Sequence, residues 1–354
     1  MKTIKTAFIF CFLTVSFVSK AQQVVSGRIT DAANGKPLPY TTVYIANTTI
    51  GAFSDDSGSY TITIPGQGSY EIMIVYVGYH PVFHKIDEPK PFHHIDFALK
   101  TNEIEMKEVI ITSASSKHTQ RDIDLFWRVL LGQKPSEKGL EVLNPEKVYF
   151  YLNSDSVLTI TCKEPIGILN HEMGYNIRYV LKIFKYDYRI DDIIFNGQPN
   201  FEELIPKNNF QKNRWEKKRR DVYAVSITHF IRALYRDKTH EEGFLLVKWG
   251  SNRDTDSSSV DILHIDQNRV LLNIDSTLYL ACFSKPVTDK MIKNVDKTMF
   301  GYYENFPVMM IYPQQLFIYP DGTYSGMLTI REVRNRVSGL SAMLPIEYGY
   351  IEQK

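Results

Sequence analysis

Two dipeptides in this 354-residue sequence begin like the HExxH motif of a zinc peptidase, His171-Glu172 and His240-Glu241. That motif works because two histidines one helical turn apart grip the metal while the glutamate serves as general base. Here the fifth position is Tyr175 in one case and Phe244 in the other, so neither dipeptide can complete a zinc site. No histidine is followed three residues later by glutamate, which removes the HxxE pair used with a distant third ligand. The GxSxG nucleophile elbow, the GxxxxGKS/T phosphate loop and the GxGxxG turn are missing as well. The residues therefore name no catalytic group, no cofactor and no metal, and they favour a protein without catalytic chemistry. The alternative is a hydrolase of unrecognised motif acting on envelope polymers or peptides.

Three further clusters carry polar chemistry. His80 and His84 are four apart in an expected strand and would share a face, with His93-His94 on a neighbouring one. No carboxylate or cysteine completes a ligand set, so exposed edge histidines are the reading. Asp55-Asp56-Ser57 has calcium-compatible oxygens but lacks the further ligands and the twelfth-position glutamate of an EF-hand, and reads as a turn. The densest charge cluster is Lys212, Arg214, Lys217, Lys218, Arg219 and Arg220. It is expected to open a long helix from Arg214 to Asp237, whose apolar stripe is Tyr223, Ile227, Phe230, Ile231 and Leu234. The default reading of Arg214, Lys217, Lys218 and Arg220 is a solvated face; the alternative is a docking face for acidic groups, such as lipid phosphates or an acidic partner. Arg219 lies four residues before Tyr223, on the apolar stripe, and is expected to pair inward with Glu202 or Glu203.

The elements that must position these residues begin after a targeting segment. Lys2 and Lys5 precede the apolar run Ala7 to Val18, and Ser19-Lys20-Ala21 offers a cleavage site, so residues 1–21 read as a signal peptide. The run is too short to cross a bilayer, which needs about 20 residues. Its removal leaves 38 basic against 40 acidic residues, a balance without the electrostatic footprint of a nucleic-acid binder. Cys162 and Cys282 remain, both in apolar strand-like stretches, and sequence leaves their pairing open. The 22 tyrosines and 20 phenylalanines suit strand packing, with glycan stacking as a lesser possibility.

Residues 22–111 read as an all-β sandwich. Tyr60, Ile62 and Ile64 alternate with Ser59, Thr61 and Thr63, Tyr70 to Val77 is a nearly continuous apolar strand, and turn clusters separate the runs. Gly27, Asp31, Gly35, Pro37-Leu38-Pro39, Val43, Ile45, Gly51, Asp56-Ser57-Gly58-Ser59-Tyr60 and Val77-Gly78-Tyr79 together resemble the carboxypeptidase regulatory-like domain. The resemblance implies a transthyretin-type sandwich without peptidase chemistry. It is similar to the N-terminal extension of TonB-dependent outer-membrane receptors, which ends in a strand like Glu108-Val109-Ile110-Ile111-Thr112.

Residues 112–119 are small and polar and read as a linker, and residues 120–354 as an α+β, strand-rich domain. Its expected elements are a helix over Asp122–Leu131, a hairpin around Asn153-Ser154-Asp155-Ser156 and an amphipathic strand from Tyr175 to Ile183. Beyond the long helix, strands follow to Ile330, the last running from Thr323. The remaining length cannot supply a receptor's roughly 22-stranded barrel. Asn144-Pro145, Glu164-Pro165, Gly174-Tyr175-Asn176-Ile177, Phe201-Glu202-Glu203-Leu204, Arg214-Trp215, His229-Phe230 with Arg232 and Glu242-Gly243-Phe244 resemble the C-terminal part of exported proteins that carry the regulatory-like domain, a family that brings no activity with it. The expectation is a non-catalytic protein of a Gram-negative envelope, in the periplasm or at the outer-membrane periphery. Its sandwich would dock or space, its second domain would bind an envelope protein or the outer-membrane surface, and a short hinge would join the two.

Overall fold

The computed structural model describes residues 23–66, 68–87, 90–102, 117–132, 139–248, 260–266, 268–293, 307–334 and 339–350. The signal peptide, the strand expected at Glu108–Thr112 and most of the expected linker lie outside them. Eight strands come first: β1 (Gln23–Asp31), β2 (Thr42–Ile45), β3 (Gly51–Phe53), β4 (Ser59–Ile64), β5 (Tyr70–Val75), β6 (Val82–Ile86), β7 (Phe92–His94) and β8 (Phe97–Leu99). Antiparallel β4 and parallel β7 and β8 flank β1 in one sheet, and the other runs β3-β2-β5-β6. The period of two does the folding: Tyr60, Ile62 and Ile64 point inward to meet Val43, Ile45, Ile72 and Ile74 from the facing sheet. Gly58 takes φ 76° with Ile29 O pressed against it, a conformation and a closeness that only glycine supplies.

The second body starts with α1 (Lys117–Leu131), inside the stretch read as linker, and closes on Gly132 at φ 77°. Then come β9 (Leu140–Val142), β10 (Val148–Leu152), β11 (Val157–Cys162), β12 (Ile166–Asn170), β13 (Tyr175–Asp187) and β14 (Asp192–Glu203). They form one antiparallel sheet, β10-β11-β13-β12-β9 with β14 along the other side of β13. Phe126, Trp127, Leu130 and Leu131 of α1 cover it, packing on Leu158, Ile168, Tyr175 and Phe184. The helix expected across Arg214–Asp237 is two: α2 (Asn209–Tyr223) and α3 (Ile227–Tyr235). The break falls where the Ser226 hydroxyl accepts from His229 N and caps the second helix.

A second pair of sheets follows, built from β15 (Phe244–Lys248), β16 (Val260–His264), β17 (Val270–Ile274), β18 (Leu278–Cys282), the short helix α4 (Asp289–Lys293), β19 (Val308–Ile311), β20 (Gln314–Ile318), β21 (Tyr324–Ser325) and β22 (Ile330–Arg334). One sheet runs β15-β18-β19-β22 and the other β16-β17-β20-β21. Phe230, Ile231 and Leu234 of α3 close the core between them. The single strand expected from Thr323 to Ile330 is divided between the two sheets, because the chain turns a corner at Gly326, φ 122°. Cys162 on β11 and Cys282 on β18 are free thiols in separate sheets. The second body is thus α+β and strand-rich, but with two main cores.

The hinge expectation needs correcting, since the sandwich is bonded to the second body. Its β2–β3 turn meets the open edge of β14: Asn47 N donates to Pro199 O at 2.7 Å and Phe201 N to Thr48 O at 2.9 Å. Asn200 Nδ2 adds bonds to Thr48 O and Ile50 O. An edge that would invite foreign strands is thereby covered, and Pro199, which has no N–H, costs nothing there. The β4–β5 turn meets the 321–323 turn through Tyr70 OH to Asp321 Oδ2 at 2.6 Å and Ser69 N to Thr323 Oγ1 at 3.0 Å. A Cβ on Gly68 would stand 2.0 Å from Thr323 Oγ1, so glycine sets that approach. Lys182 Nζ pairs with Glu71 at 2.6 Å in a half-buried bridge. Residues 339–350 then tie three cores together: Leu340 joins the α1 core, Ile346 packs on the sandwich core, and Tyr348 O accepts from Arg232 of α3.

Candidate functional site

Helix α2 has an inner face and an outer face. Asn208 caps it by accepting from Gln211 N at 2.9 Å, while Gln211 Oε1 accepts from Lys207 N at 2.7 Å, fixing the approach loop. Trp215, Arg219 and Val222, at a helical spacing of four and three, are buried. Trp215 Nε1 donates to His171 O at 2.8 Å, and its ring lies where a Cβ on Gly174 would be, 2.2 Å from Cε3. Gly174 also holds φ 69°.

Arg219 points inward, only 7% exposed. Its Nε donates to Met173 O at 2.8 Å and its Nη2 to Gly174 O at 3.2 Å; Nη1 lies 3.1 Å from Glu203 Oε1. The guanidinium stands 4.0 Å over the Tyr175 ring, whose hydroxyl burial pushes well above the ordinary tyrosine range. Glu202 is not part of this clamp: it pairs with Arg178 at 3.0 Å and accepts from Asn176 Nδ2. Adjacent strand residues point to opposite sides, so only one of the two glutamates can reach Arg219.

On the far side of the helix, Phe210, Arg214, Lys217 and Asp221 follow at i, i+4, i+7 and i+11, with Arg220 beside them. Phe210 is 80% exposed, and Ile205, in the loop just before the helix, is 92% exposed. Arg214 and Arg220 make no ion pair among the described residues. Lys217 pairs with Asp221 at 2.8 Å, Lys218 with Glu172 at 3.5 Å and Lys212 with Glu216 at 3.9 Å. Such exposed pairs are worth roughly 0 to 1 kcal/mol and open readily for a competing anion. The cations do not crowd the helix start as the sequence suggested. The helix begins at Asn209, and Arg220 sits in its last turn, where a cation complements the free carbonyls. The structure brings Arg214, Lys217 and Arg220 onto one outer side and turns Lys218 toward Glu172. Sequence reasoning missed Phe210 and Ile205; the available signal was that Phe210 falls out of phase with Trp215, Arg219 and Val222.

The other clusters have local employment. His84 on β6 and His93-His94 on β7 belong to different sheets, so they share no face. His93 Nε2 meets Gln23 Oε1 at 3.1 Å, and His94 Nε2 lies 3.5 Å from Asp96. Among the described residues no three His, Cys, Asp or Glu side chains are grouped to hold a metal. Asp55 Oδ1 accepts from Ser57 Oγ, Ser57 N and Ser59 N, and these bonds hold its carboxyl below the ordinary range; the turn uses its own oxygens. His229 Nε2 meets Glu242 Oε2 at 2.9 Å, its ring stacked on Tyr223 and edged by Phe244, and burial lowers its pKa from 6.5. Glu242 also bonds Arg236, so the trio fastens α3 to the turn before β15. A cleft of about 530 Å³ lined by Gln120, Arg121, Asp124, Leu125, Arg128, Tyr186 and Tyr188 offers one carboxylate and no serine–histidine pair.

Comparison with known proteins finds a match to the CarboxypepD_reg-like domain over residues 25–111. No curated protein matches the chain. Among solved structures, a mutant cohesin–X-dockerin complex from Acetivibrio cellulolyticus is 23% identical over 21% of this chain and 52% of that one, TM-score 0.19. The major pilin subunit of Bacillus cereus is 14% identical over 23% and 30%, TM-score 0.20. A DUF3823 family protein from Bacteroides ovatus is 10% identical over 52% and 82%, TM-score 0.19. The chain spans about half or less of the length of the first two. Residues 25–111 are a carboxypeptidase regulatory-like domain, standing in front of a strand-rich body.

Proposed function

We propose that this is an exported cell-envelope protein that works by binding rather than by catalysis. The regulatory-like sandwich serves as a docking or spacer module, and the second body presents the outer side of α2 to a partner in the envelope, either a protein or the outer-membrane surface. One observation carries this reading: helix α2, locked on its inner side by Trp215 and Arg219, and the loop before it display two exposed apolar side chains, Phe210 and Ile205, beside Arg214, Lys217 and Arg220. Large exposed apolar groups cost free energy in water unless something covers them, and cations beside them select an acidic cover. Export is inferred from the sequence of residues 1–21, and the setting in the periplasm or at the outer-membrane periphery from the resemblance of the sandwich to the N-terminal extension of TonB-dependent receptors.

The test is retention on washed envelope membranes. Reversing Arg214→Glu, Lys217→Glu and Arg220→Glu together removes about 1 kcal/mol of attraction per cation near an anionic surface. Retention of the triple variant should fall by about a hundredfold or more, with only a small drop in melting temperature, because all three side chains are exposed and the reversals disturb no more than the Lys217–Asp221 pair and the cation in the last turn of α2. Undiminished retention would remove the reading.

A further inference from the structure

The cover for Ile205 and Phe210 can be specified by its chemistry. We infer that it is an anionic phospholipid bilayer, an identification that rests on the docking reading of α2. Ile205 and Phe210 stand on either side of the helix start, with Pro206, Lys207, Asn208 and Asn209 between them. They are two projecting pins rather than a continuous patch. A stable protein partner needs on the order of 800 Å² of close-fitting surface on each side, with charge depleted at its centre. A bilayer needs no matching shape: isolated apolar side chains enter the boundary between headgroups and acyl chains, while neighbouring cations stay at the phosphates.

The helix supplies that layout. Arg214 and Lys217 lie one and two turns beyond Phe210 on the same face, with Arg220 flanking them. Arg214 has no ion pair among the described residues, and the side chain of Lys217 is largely exposed despite its bond to Asp221. The pins are held out rather than free to fold back. Leu204 N donates to Gly174 O at 3.0 Å and Lys207 N to Gln211 Oε1 at 2.7 Å, fastening the loop on both sides of Ile205. Between Glu202 and Asp221 the chain carries Lys207, Lys212, Arg214, Lys217, Lys218, Arg219 and Arg220 against Glu202, Glu203, Glu216 and Asp221, an excess of cations in a chain that is otherwise near neutral. Orientation follows: α2 lies along the membrane with its Trp215 side facing the protein.

Vesicle flotation tests this with the chain from Gln22 onward, which keeps every described residue and lacks the apolar run Ala7–Val18 that would itself enter lipid. The probes are phosphatidylcholine vesicles and phosphatidylcholine–phosphatidylglycerol vesicles. Binding to the anionic vesicles should exceed binding to the neutral ones by at least about tenfold and should weaken as salt is added. Two double variants, Ile205→Ser with Phe210→Ser and Arg214→Glu with Lys217→Glu, should each bind anionic vesicles at least about tenfold less well. F210W should show an emission shift to shorter wavelength on adding anionic vesicles. If neither vesicle type binds while washed envelope membranes still retain the chain through Arg214, Lys217 and Arg220, the lipid assignment is overturned and the occupant is a protein. If the envelope membranes fail to retain it as well, the docking reading falls with it.

Discussion

Replacing Arg232 by methionine should loosen the whole assembly, and the structure sets the size of the effect. Arg232 is 1% exposed, yet among the described residues its guanidinium meets no carboxylate. Its Nε and Nη2 donate to Asp321 O at 3.0 and 2.8 Å, Nη1 to Tyr348 O at 2.7 Å and Tyr223 OH at 3.0 Å, and Nη2 also to Ile346 O. Arg232→Met leaves the carbonyls of Asp321, Ile346 and Tyr348 without this donor, at about 1 to 3 kcal/mol for each buried acceptor left unsatisfied. Against that stands the relief of not burying a cation, several kcal/mol. The three carbonyls together account for about 3 to 9 kcal/mol, the relief offsets several of these, and the net loss should be on the order of 1 to 5 kcal/mol, a large part of the total stability of an ordinary domain. Two of the three carbonyls belong to the C-terminal segment and the third to the turn that meets the sandwich, so the damage should show at that junction first. Urea unfolding followed by two probes measures the loss, and hydrogen exchange of residues 339–350 locates it. A stability change below about 1 kcal/mol, or exchange in 339–350 as slow as in the parent, would refute the idea that Arg232 is the tie between α3, the C-terminal segment and the 321–323 turn.

Three further outcomes are expected. Arg219→Met should cost more than Glu203→Gln, about 2 to 4 kcal/mol against less than about 1. The first strands two buried carbonyls, whereas Glu203 is largely exposed; equal losses by urea unfolding would contradict this. Burial raises the pKa of Glu347, whose Oε1 accepts from Thr49 N and Oγ1 while Oε2 has no hydrogen-bond partner among the described residues. A raised acid makes the folded state hold its proton longer than the unfolded one, so its contribution falls as pH rises above 4.5. Glu347→Gln should therefore flatten that part of the stability profile, and parallel profiles would rule the effect out. Burial pushes Cys162 and Cys282 up to about 12, so at mildly alkaline pH both should react with a thiol reagent far more slowly in the folded chain than in urea. Equal rates would show that the burial is wrong.

Local pattern carried much of the fold into view and stopped where long-range contacts decide. The alternation in Ser59–Ile64 and Tyr175–Ile183 maps directly onto β4 and β13, because one face of each meets a core. Asp192–Glu203 has no such rhythm and contains Gly197 and Pro199, yet it forms β14 by pairing with β13 and by receiving the sandwich turn on its open edge. Gly197 is placed by Tyr179, whose hydroxyl would lie 2.4 Å from a Cβ there, a neighbour no local window contains. The break between α2 and α3 has no glycine or proline to announce it; Ser226 makes it through a cap that could equally have been an ordinary helix position. The cationic run was visible, and so was the inward turn of Arg219, from its phase on the helix. Which glutamate it meets depends on the register Tyr175↔Glu203 and Asn176↔Glu202. The exposure of Phe210 required knowing where α2 starts and which side Trp215 occupies.

The most direct test of how the protein works is site-specific photocrosslinking in intact cells, with the reactive group at position 210 of α2 or at position 40 of the sandwich, both exposed. Contact through the outer side of α2 predicts crosslinks to an envelope component from position 210, lost when Arg214→Glu and Lys217→Glu are added, while any crosslinks from position 40 on the sandwich should be unaffected by those reversals. Crosslinks from position 40 alone, or from position 210 regardless of the charge reversals, would contradict it.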